Sequence, residues 1–295
     1  MKSHPLCTGC LVTFLVVLFF LGLSGIVLAL LGKGTIFSAR ERVGVVEIKG
    51  LLTDSRAVIK QLDRYRDDDS IKAIVLRINS PGGAVGPAQE ILREVEKVRA
   101  KKKIVASLGT VAASGGYYIA SGANLIMANR GTATGSIGVI MQFTNVEGLA
   151  KKVGLDFFNL KAGRYKDVGS PFRPMTPEDK AYLQGLLDNI YQQFLTDVAH
   201  NRKIPLAKLR TLAEGRIYSG EEAKQVGLVD EFGNLPDAIE KAGRLGGIKG
   251  EVKAVYPEKE GFSILRLILG QEAEESLTQL SLPYPEPAFL PPWFR

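Results

Sequence analysis

The sequence predicts an α/β protein in which repeated βαβ units build a largely parallel sheet, preceded by one N-terminal transmembrane helix. Three observations favour this fold class. Residues 11–31 contain no charged side chain, short β-branched segments alternate with amphipathic segments after residue 42, and glycine-rich segments follow three of the predicted strands. With 45% hydrophobic and 23% charged residues among 295, the chain has an ordinary globular balance and can bury a core.

The N-terminal part predicts a membrane anchor. A helix over residues 11–31 would be about 30 Å long at about 1.5 Å per residue, which matches the hydrocarbon core of a bilayer. A cleaved signal peptide is the alternative, but its apolar run is usually about 7–15 residues and no small-x-small cleavage site precedes Lys33. We therefore predict an N-terminal segment (1–10), a single span (11–31) and a linker (32–42), with the protein in the cell membrane. The flanking charges leave the orientation open, and we expect the domain that follows the linker to lie on the extracytoplasmic side.

Beyond the linker, strands and helices alternate up to a proline-rich end. Predicted strands cover 43–50, 72–79, 104–109, 124–128 and 156–161, and predicted helices cover 55–66, 87–99, 114–121 and most of 176–212. Ser219 and Glu222 form a capping box that opens another short helix. The main domain is predicted at 43–260, followed by a C-terminal segment (261–295). Five prolines among its last fifteen residues forbid a regular helix or a central strand there.

Charge and cysteine content exclude several classes of partner and cofactor. The net charge is +7, but Lys and Arg are scattered instead of forming a stripe, so no nucleic-acid partner is predicted. The only two cysteines, Cys7 and Cys10, precede the apolar segment and have no second pair with which to build a metal site. We interpret them as inert or lipidated, and we predict no metal and no cofactor.

Three glycine-rich segments, 79–83, 112–118 and 131–139, lie beyond the carboxyl ends of predicted strands, where ligands bind in open α/β sheets. None of them is a phosphate-binding loop. Paired glycines instead allow close backbone approach to a ligand and leave N–H groups free. Ser114 would start a helix, where those N–H groups and the helix dipole favour a developing oxyanion. A plain N-cap serine is the competing interpretation.

The partner of Ser114 decides between these readings. The chain has two histidines: His4 precedes the apolar segment, and His200 lies in a polar helical turn that does not resemble a site. A nucleophilic serine would therefore need a lysine as its base. Lys166 lies in a loop after a predicted strand, and its amine would be kept neutral by an apolar pocket and oriented by a hydroxyl such as that of Ser136. The residues alone leave this pairing open among many lysines.

From about residue 43 to 245 the chain closely resembles the signal peptide peptidase A family, short form. The resemblance is carried by NSPGGAV, GTVAASGGYYIASGANLIMA, GTATGSIGVI, KAGRYKDVGSPFRPMTPED and GRIYSGEEAKQVGLVDEFG. It implies a Clp-protease/crotonase-like fold and a serine endopeptidase that degrades remnant signal peptides, which are apolar and unstructured. Ser114 matches the nucleophile and Lys166 the general base, while Ser136 matches the serine that orients the lysine.

The same resemblance assigns the oxyanion hole to Gly83 and Gly115. It also implies a homo-oligomer, a ring or dome of subunits in which the serine and the lysine come from neighbouring chains. In this sequence the loop between the PGG and SGG segments is a residue or two shorter than in the family. The proline-rich tail has no counterpart; it is either a disordered terminus or an internal competitor in a substrate groove.

Three alternative functions stay open at this stage. A stomatin-cleaving membrane protease of the NfeD type shares the anchor and the SGG segment, although its Ser–Lys spacing looks shorter. A crotonase-type acyl-CoA enzyme uses similar paired N–H groups, but the apolar span and the KAGRYKD loop count against it. A non-catalytic membrane scaffold is the third, and a serine-reactive probe would separate it from a protease.

Overall fold

The computed structural model describes residues 16–23, 41–257 and 288–289. The chain divides into two compact units, Met1–Arg40 and Glu41–Arg295. Residues 16–23 form a helix, α1, with exposed side chains. Among the helices of these described ranges, none is both long and apolar enough to cross a membrane. Most of the span predicted at 11–31 lies outside the described residues, so the anchor stays a prediction.

Nine strands and eight further helices follow α1 in the described residues. The strands are β1 (Arg42–Leu52), β2 (Ile71–Ala84), β3 (Lys103–Ala113), β4 (Leu125–Ala128), β5 (Ala133–Gly135), β6 (Ile217–Ser219), β7 (Glu231–Phe232), β8 (Lys253–Val255) and β9 (Ala288–Phe289). The helices are α2 (Arg56–Asp67), α3 (Val85–Arg99), α4 (Gly115–Ser121), α5 (Glu147–Lys152), α6 (Pro177–Arg202), α7 (Leu206–Leu212), α8 (Gly220–Val226) and α9 (Leu235–Leu245).

The strands form one sheet with the order β6-β5-β3-β2-β1-β8, and β4, β7 and β9 join it beside this path. Strand pairs are parallel except β5–β6 and β2–β9. The predicted α/β class with a largely parallel sheet is therefore confirmed. Helices connect the long strands β1, β2 and β3, as parallel pairing requires, because a hairpin cannot join parallel neighbours.

Side chains of the central strands are buried on both faces of the sheet, which explains their nearly continuous apolar sequence. Ile74, Leu76 and Ile78 of β2 belong to the larger core cluster, together with α3, α4 and α6. The alternate residues of β2, Ala73 and Val75, pack into a second cluster with α9. The period of two along the strand thus assigns neighbouring residues to opposite layers.

The strand predicted at 156–161 is wrong, since the described chain has no regular structure there. Its apolar residues produced the prediction, but Phe158 and Leu160 are 86% and 96% exposed and therefore pack against no core. Strands β5 to β8 contain two or three residues each and were not predicted, because such short segments carry no periodic signal. The capping box at Ser219 and Glu222 is confirmed.

Candidate active site

Ser114 occupies a strained turn between strand β3 and helix α4. Its backbone has φ 55° and ψ −118°, a conformation that non-glycine residues rarely adopt. The same strand–serine–helix arrangement in other hydrolases presents a nucleophilic hydroxyl at the end of a sheet. Such strain persists only where the surrounding structure imposes it, and it concentrates at functional sites.

The surrounding structure here is strand β5. Ala113, the last residue of β3, is the register partner of Gly135, the last residue of β5. The Ser114 N–H donates to the Gly135 carbonyl at 2.7 Å, which fixes the turn. Ser136 follows Gly135, has φ 52° and donates its own N–H to the Arg216 carbonyl at 2.7 Å. The structure therefore brings Ser114 and Ser136 to the same end of two adjacent strands.

The Ser114 side chain is fully buried, yet its Oγ has no hydrogen-bond partner among the described residues. Burying a hydroxyl without a partner costs free energy, so an atom of this kind calls for an explanation. The plain N-cap interpretation does not supply one, because Ser114 makes no side-chain capping bond to α4. A free, buried hydroxyl is instead what a nucleophile needs.

Gly83 lies at the end of β2, in a position that only glycine can occupy. A Cβ there would lie 2.2 Å from the Leu52 carbonyl oxygen of β1. Ser80 shapes the turn before it: its hydroxyl donates to the Gly50 carbonyl at 2.6 Å and accepts from the Gly82 N–H at 3.1 Å. Ser80 lies in the NSPGGAV segment, but no role was predicted for it from the sequence.

The start of α4 approaches this turn closely. A Cβ on Gly116 would lie 2.8 Å from the Ser80 carbonyl oxygen, so the helix can pack there only without a side chain. Gly115 is the first residue of α4, and the first N–H groups of a helix have no intrahelical acceptor. Gly115 and Gly83 therefore lie on the two backbone segments that meet beside Ser114, as an oxyanion hole requires.

A cavity of about 500 Å³ opens beside Ser136. Much of its lining is apolar: Val139, Ile140, Met141, Leu187 and Tyr191. Two carboxylates, Asp188 and Glu214, also line it. Its mixed lining suits an apolar group that enters from a polar surface.

Lys166 lies in a turn before α6, and its side chain is exposed. The Lys166 N–H donates to the Gly163 carbonyl at 3.2 Å. Within the described chain no hydrogen bond or ion pair joins its amine to Ser114, Ser136 or any carboxylate. Of the five residues predicted for the site, the structure places Ser114, Ser136 and Gly115 at neighbouring strand ends and Gly83 at the end of the adjoining strand β2. Among the described residues it shows no bond from the Lys166 amine to any of them.

Arg173 ties the Lys166 turn to α6. Its guanidinium donates to both Asp167 carboxylate oxygens at 3.0 Å and to Asp179 at 2.6 Å. Asp179 is also part of the capping box with Thr176 that starts α6. The link made by Arg173 was not predicted, although the Thr-x-x-Asp spacing from Thr176 to Asp179, ahead of a long apolar period, was a signal for the cap.

Strand β9 pairs antiparallel with the end of β2, with Phe289 opposite Gly83 and Ala288 opposite Ala84. One edge of β2 is occupied by β1 up to Gly83. Strand β9 therefore takes the other edge, which β3 leaves after Ala112 to turn into Ser114. The tail strand thus lies along the backbone edge next to the candidate nucleophile.

Comparison with known proteins finds protease families and protease relatives over much of the chain. A family model described as peptidase family S49 matches residues 96–249, and one described as Clp protease matches residues 35–141. A Methanocaldococcus jannaschii protein with a protease designation is 41% identical over 74% of this chain and 70% of its own. A Synechocystis protein with the same kind of designation is 38% identical over 80% and 86%. The chloroplastic serine protease SPPA of Arabidopsis thaliana is 33% identical over 74% of this chain and 32% of its own.

Proposed function

The chain belongs to peptidase family S49 and is a serine protease, and on this premise we propose that it is a membrane-anchored endopeptidase that degrades remnant signal peptides. The resemblance to the signal peptide peptidase A family is confirmed by these relatives. The observation that carries the proposed chemistry is the buried, unpartnered Oγ of Ser114 in a strained turn beside two glycine backbones.

In the proposed mechanism Ser114 Oγ attacks the carbonyl carbon of the scissile peptide bond. Its proton passes to the neutral amine of Lys166, which acts as general base. The N–H groups of Gly83 and Gly115 stabilise the negative charge that develops on the carbonyl oxygen. The tetrahedral intermediate then collapses: the C–N bond breaks, the Lys166 ammonium returns the proton to the leaving amine, and an ester remains on Ser114.

Deacylation repeats these roles with water as the nucleophile. Lys166 takes a proton from the water as it attacks the ester carbonyl, and the same two N–H groups stabilise the oxyanion. The Ser114–acyl bond breaks, Ser114 regains its proton and the peptide acid leaves. The Ser136 hydroxyl orients the Lys166 amine through a hydrogen bond, which keeps its lone pair directed at Ser114.

We infer that the lysine of one site comes from a neighbouring copy of this chain. This arrangement is supported by the exposure of the Lys166 side chain and by the lack of any partner for Ser114 Oγ among the described residues of one chain. The exposed apolar stretch at 156–161 also supports a neighbouring copy, since a second copy would cover Phe158 and Leu160. The protein is therefore proposed to be a homo-oligomer, with an anchor at residues 11–31 that places it in the cell membrane.

The substrate is proposed to bind as an extended peptide, antiparallel to β2 at Gly83 and Ala84. Strand β9 supports this mode of binding, since it pairs antiparallel with the same two residues of β2. The apolar part of the cavity beside Ser136 favours peptides with apolar side chains. Signal peptides left in a membrane have such side chains and must unwind to present an extended backbone.

The decisive experiment uses the full chain in detergent or lipid vesicles, with a signal-peptide analogue as substrate. Ser114→Ala and Lys166→Ala should each abolish hydrolysis without changing the assembly size, and the double variant should be little worse than either single one, because the pair acts as a unit. Serine-reactive probe labelling should be lost in Ser114→Ala. Near-native turnover by Lys166→Ala would rule out the proposed base.

A further inference from the structure

The turn that carries Lys166 is fastened to helix α6 on both sides of that residue. On one side Tyr165 stacks on Tyr182 with ring centroids 4.4 Å apart, and its hydroxyl donates to Glu178 at 2.9 Å. On the other side Asp167 is bound by Arg173, which also binds Asp179. Lys166 therefore projects from a short segment whose two neighbours are both anchored to the first turns of one long helix.

The ion pair between Arg173 and Asp167 has a well-defined geometry. The guanidinium meets the Asp167 carboxylate with two parallel N–H···O bonds and also donates to the Asp167 carbonyl at 3.2 Å. Paired bonds of this kind fix geometry as well as charge, which a lysine in the same place would not do. The Asp167 side chain is only 13% exposed, so solvent screens this pair less than an exposed one.

Among the residues that the structure describes, the charges of this cluster pair with one another and none pairs with Lys166. The carboxylates bonded to this loop and to the start of α6 are those of Asp167, Glu178 and Asp179. Arg173 and Lys161 pair with Asp167, Arg164 pairs with Glu178, and Arg173 pairs with Asp179. The hydrogen bonds from Arg173 and then Lys161 hold the pKa of Asp167 well below its usual range, so it stays ionised and engaged.

We propose that Arg173 is a positioning residue for Lys166, which fixes the backbone beside it and keeps the adjacent Asp167 carboxylate away from its amine. The inference rests on the proposed role of Lys166 as general base. A general base must be neutral, and a free carboxylate next to it would favour the protonated ammonium form. Arg173 prevents this by occupying both carboxylate oxygens, and its own positive charge acts in the same direction.

The test compares the pH dependence of kcat/KM for peptide hydrolysis among full-length variants. Arg173→Gln frees the Oδ2 oxygen of Asp167 and leaves Lys161 alone on Oδ1, so the rising limb of the pH profile should move to higher pH by up to about one unit. The plateau rate should fall by about 10²-fold, since the misplaced amine loses its geometry. The double variant Arg173→Gln, Asp167→Asn also removes the carboxylate. The rising limb of its pH profile should return toward the wild-type position, while its plateau rate stays low. Arg173→Lys keeps the charge but loses the paired bonds, so its plateau should fall without a comparable shift.

Arg66→Gln is the matched structural control. Arg66 is about as buried as Arg173 and also joins carboxylates on two elements. It pairs with Asp63 at 2.6 Å and Asp67 at 2.9 Å on α2 and with Glu94 at 2.9 Å on α3. Its loss should lower the unfolding temperature and leave the rising limb in place. Circular dichroism and assembly size identify any variant that does not fold, and Arg173→Lys then serves as the informative variant.

The outcomes separate this inference from the proposed function. If Lys166→Ala is inactive but Arg173→Gln keeps the wild-type limb, or if Asp167→Asn does not reverse the shift, Arg173 has no positioning role. If Arg173→Lys matches the wild type in both plateau and limb, the paired geometry is not needed and the inference is overturned. If Lys166→Ala stays active, the proposed base itself is wrong.

Discussion

Ser114 and Ser136 follow register partners at the ends of two adjacent parallel strands, and both have a positive φ. Ala113 pairs with Gly135, and the backbone angles of the two serines, 55° and 52°, are nearly equal. The two hydroxyl-bearing residues thus leave the sheet with nearly the same positive φ. One of them is proposed to react, and the other to orient the base that activates it.

This relationship predicts unequal effects of the two serines on the rate. Ser136→Ala should lower kcat/KM by about 10-fold to 10²-fold without abolishing it, since the hydroxyl orients and does not react. In the wild type kcat/KM should rise with pH as the Lys166 amine loses its proton, and then level off. Initial rates between pH 6 and 10 check both points. A flat profile over that range would contradict a lysine base.

Gly83→Ala should remove activity, because the new Cβ would lie 2.2 Å from the Leu52 carbonyl oxygen and must displace the N–H proposed for the oxyanion hole. Loss of one such donor costs about 10²-fold to 10³-fold in kcat. Gly86→Ala is the matched control three residues later in α3, where a Cβ would meet no atom within 4 Å. That variant should keep full activity, and equal losses in both would argue against the oxyanion assignment.

Mixed assemblies test whether the dyad is shared between chains. Ser114→Ala and Lys166→Ala subunits, co-expressed with different affinity tags and purified through both, should regain a measurable fraction of wild-type hydrolysis. At some interfaces an intact serine then meets an intact lysine. A complex shown by mass spectrometry to contain both subunits, yet wholly inactive, would place a complete site within each chain.

Removal of residues 288–295 should raise kcat/KM for short peptides several-fold, mainly through a lower KM. Strand β9 occupies the edge of β2 that a substrate is proposed to use, so it competes with peptides for the same backbone groups. Deletion of residues 293–295 alone keeps Ala288 and Phe289 and is the control. An unchanged KM after the longer deletion would mean that the tail strand does not compete.

Acid should loosen the anchor of the Lys166 turn. Hydrogen bonds from Arg173 and from the Thr176 backbone lower the pKa of Asp179 to about 2. Its folded pKa lies below the unfolded value of about 3.9, so its stabilising contribution is complete above about pH 4 and is lost as the pH falls toward 2. Unfolding temperatures measured at pH 7, 4, 3 and 2.5 should therefore fall less steeply for Asp179→Asn than for the wild type. Asp188→Asn, on the same helix, should follow the wild type.

The layered core could be predicted from the sequence because burial on both faces makes the central parts of β1, β2 and β3 largely apolar. The serine and glycine positions could be proposed because glycine is required wherever two backbones approach as closely as Gly83 and Leu52 do. The structure of the stretch around Phe158 could not be predicted correctly. An apolar sequence does not reveal whether its side chains are buried by the same chain or by another one. Arg173 carries no periodic signal, and its partners Asp167 and Asp179 lie on different elements, so only the fold identifies it.

The lack of a hydrogen-bond partner for Ser114 Oγ among the described residues of one chain has a consequence for the newly made enzyme. Under the proposed arrangement a newly synthesised subunit has a nucleophile without a base and a base without a nucleophile. It is a zymogen that needs no propeptide, because latency ends when two copies meet. Stray proteolysis during synthesis and insertion is thereby avoided, and dilution of the assembled enzyme should return it to the latent form.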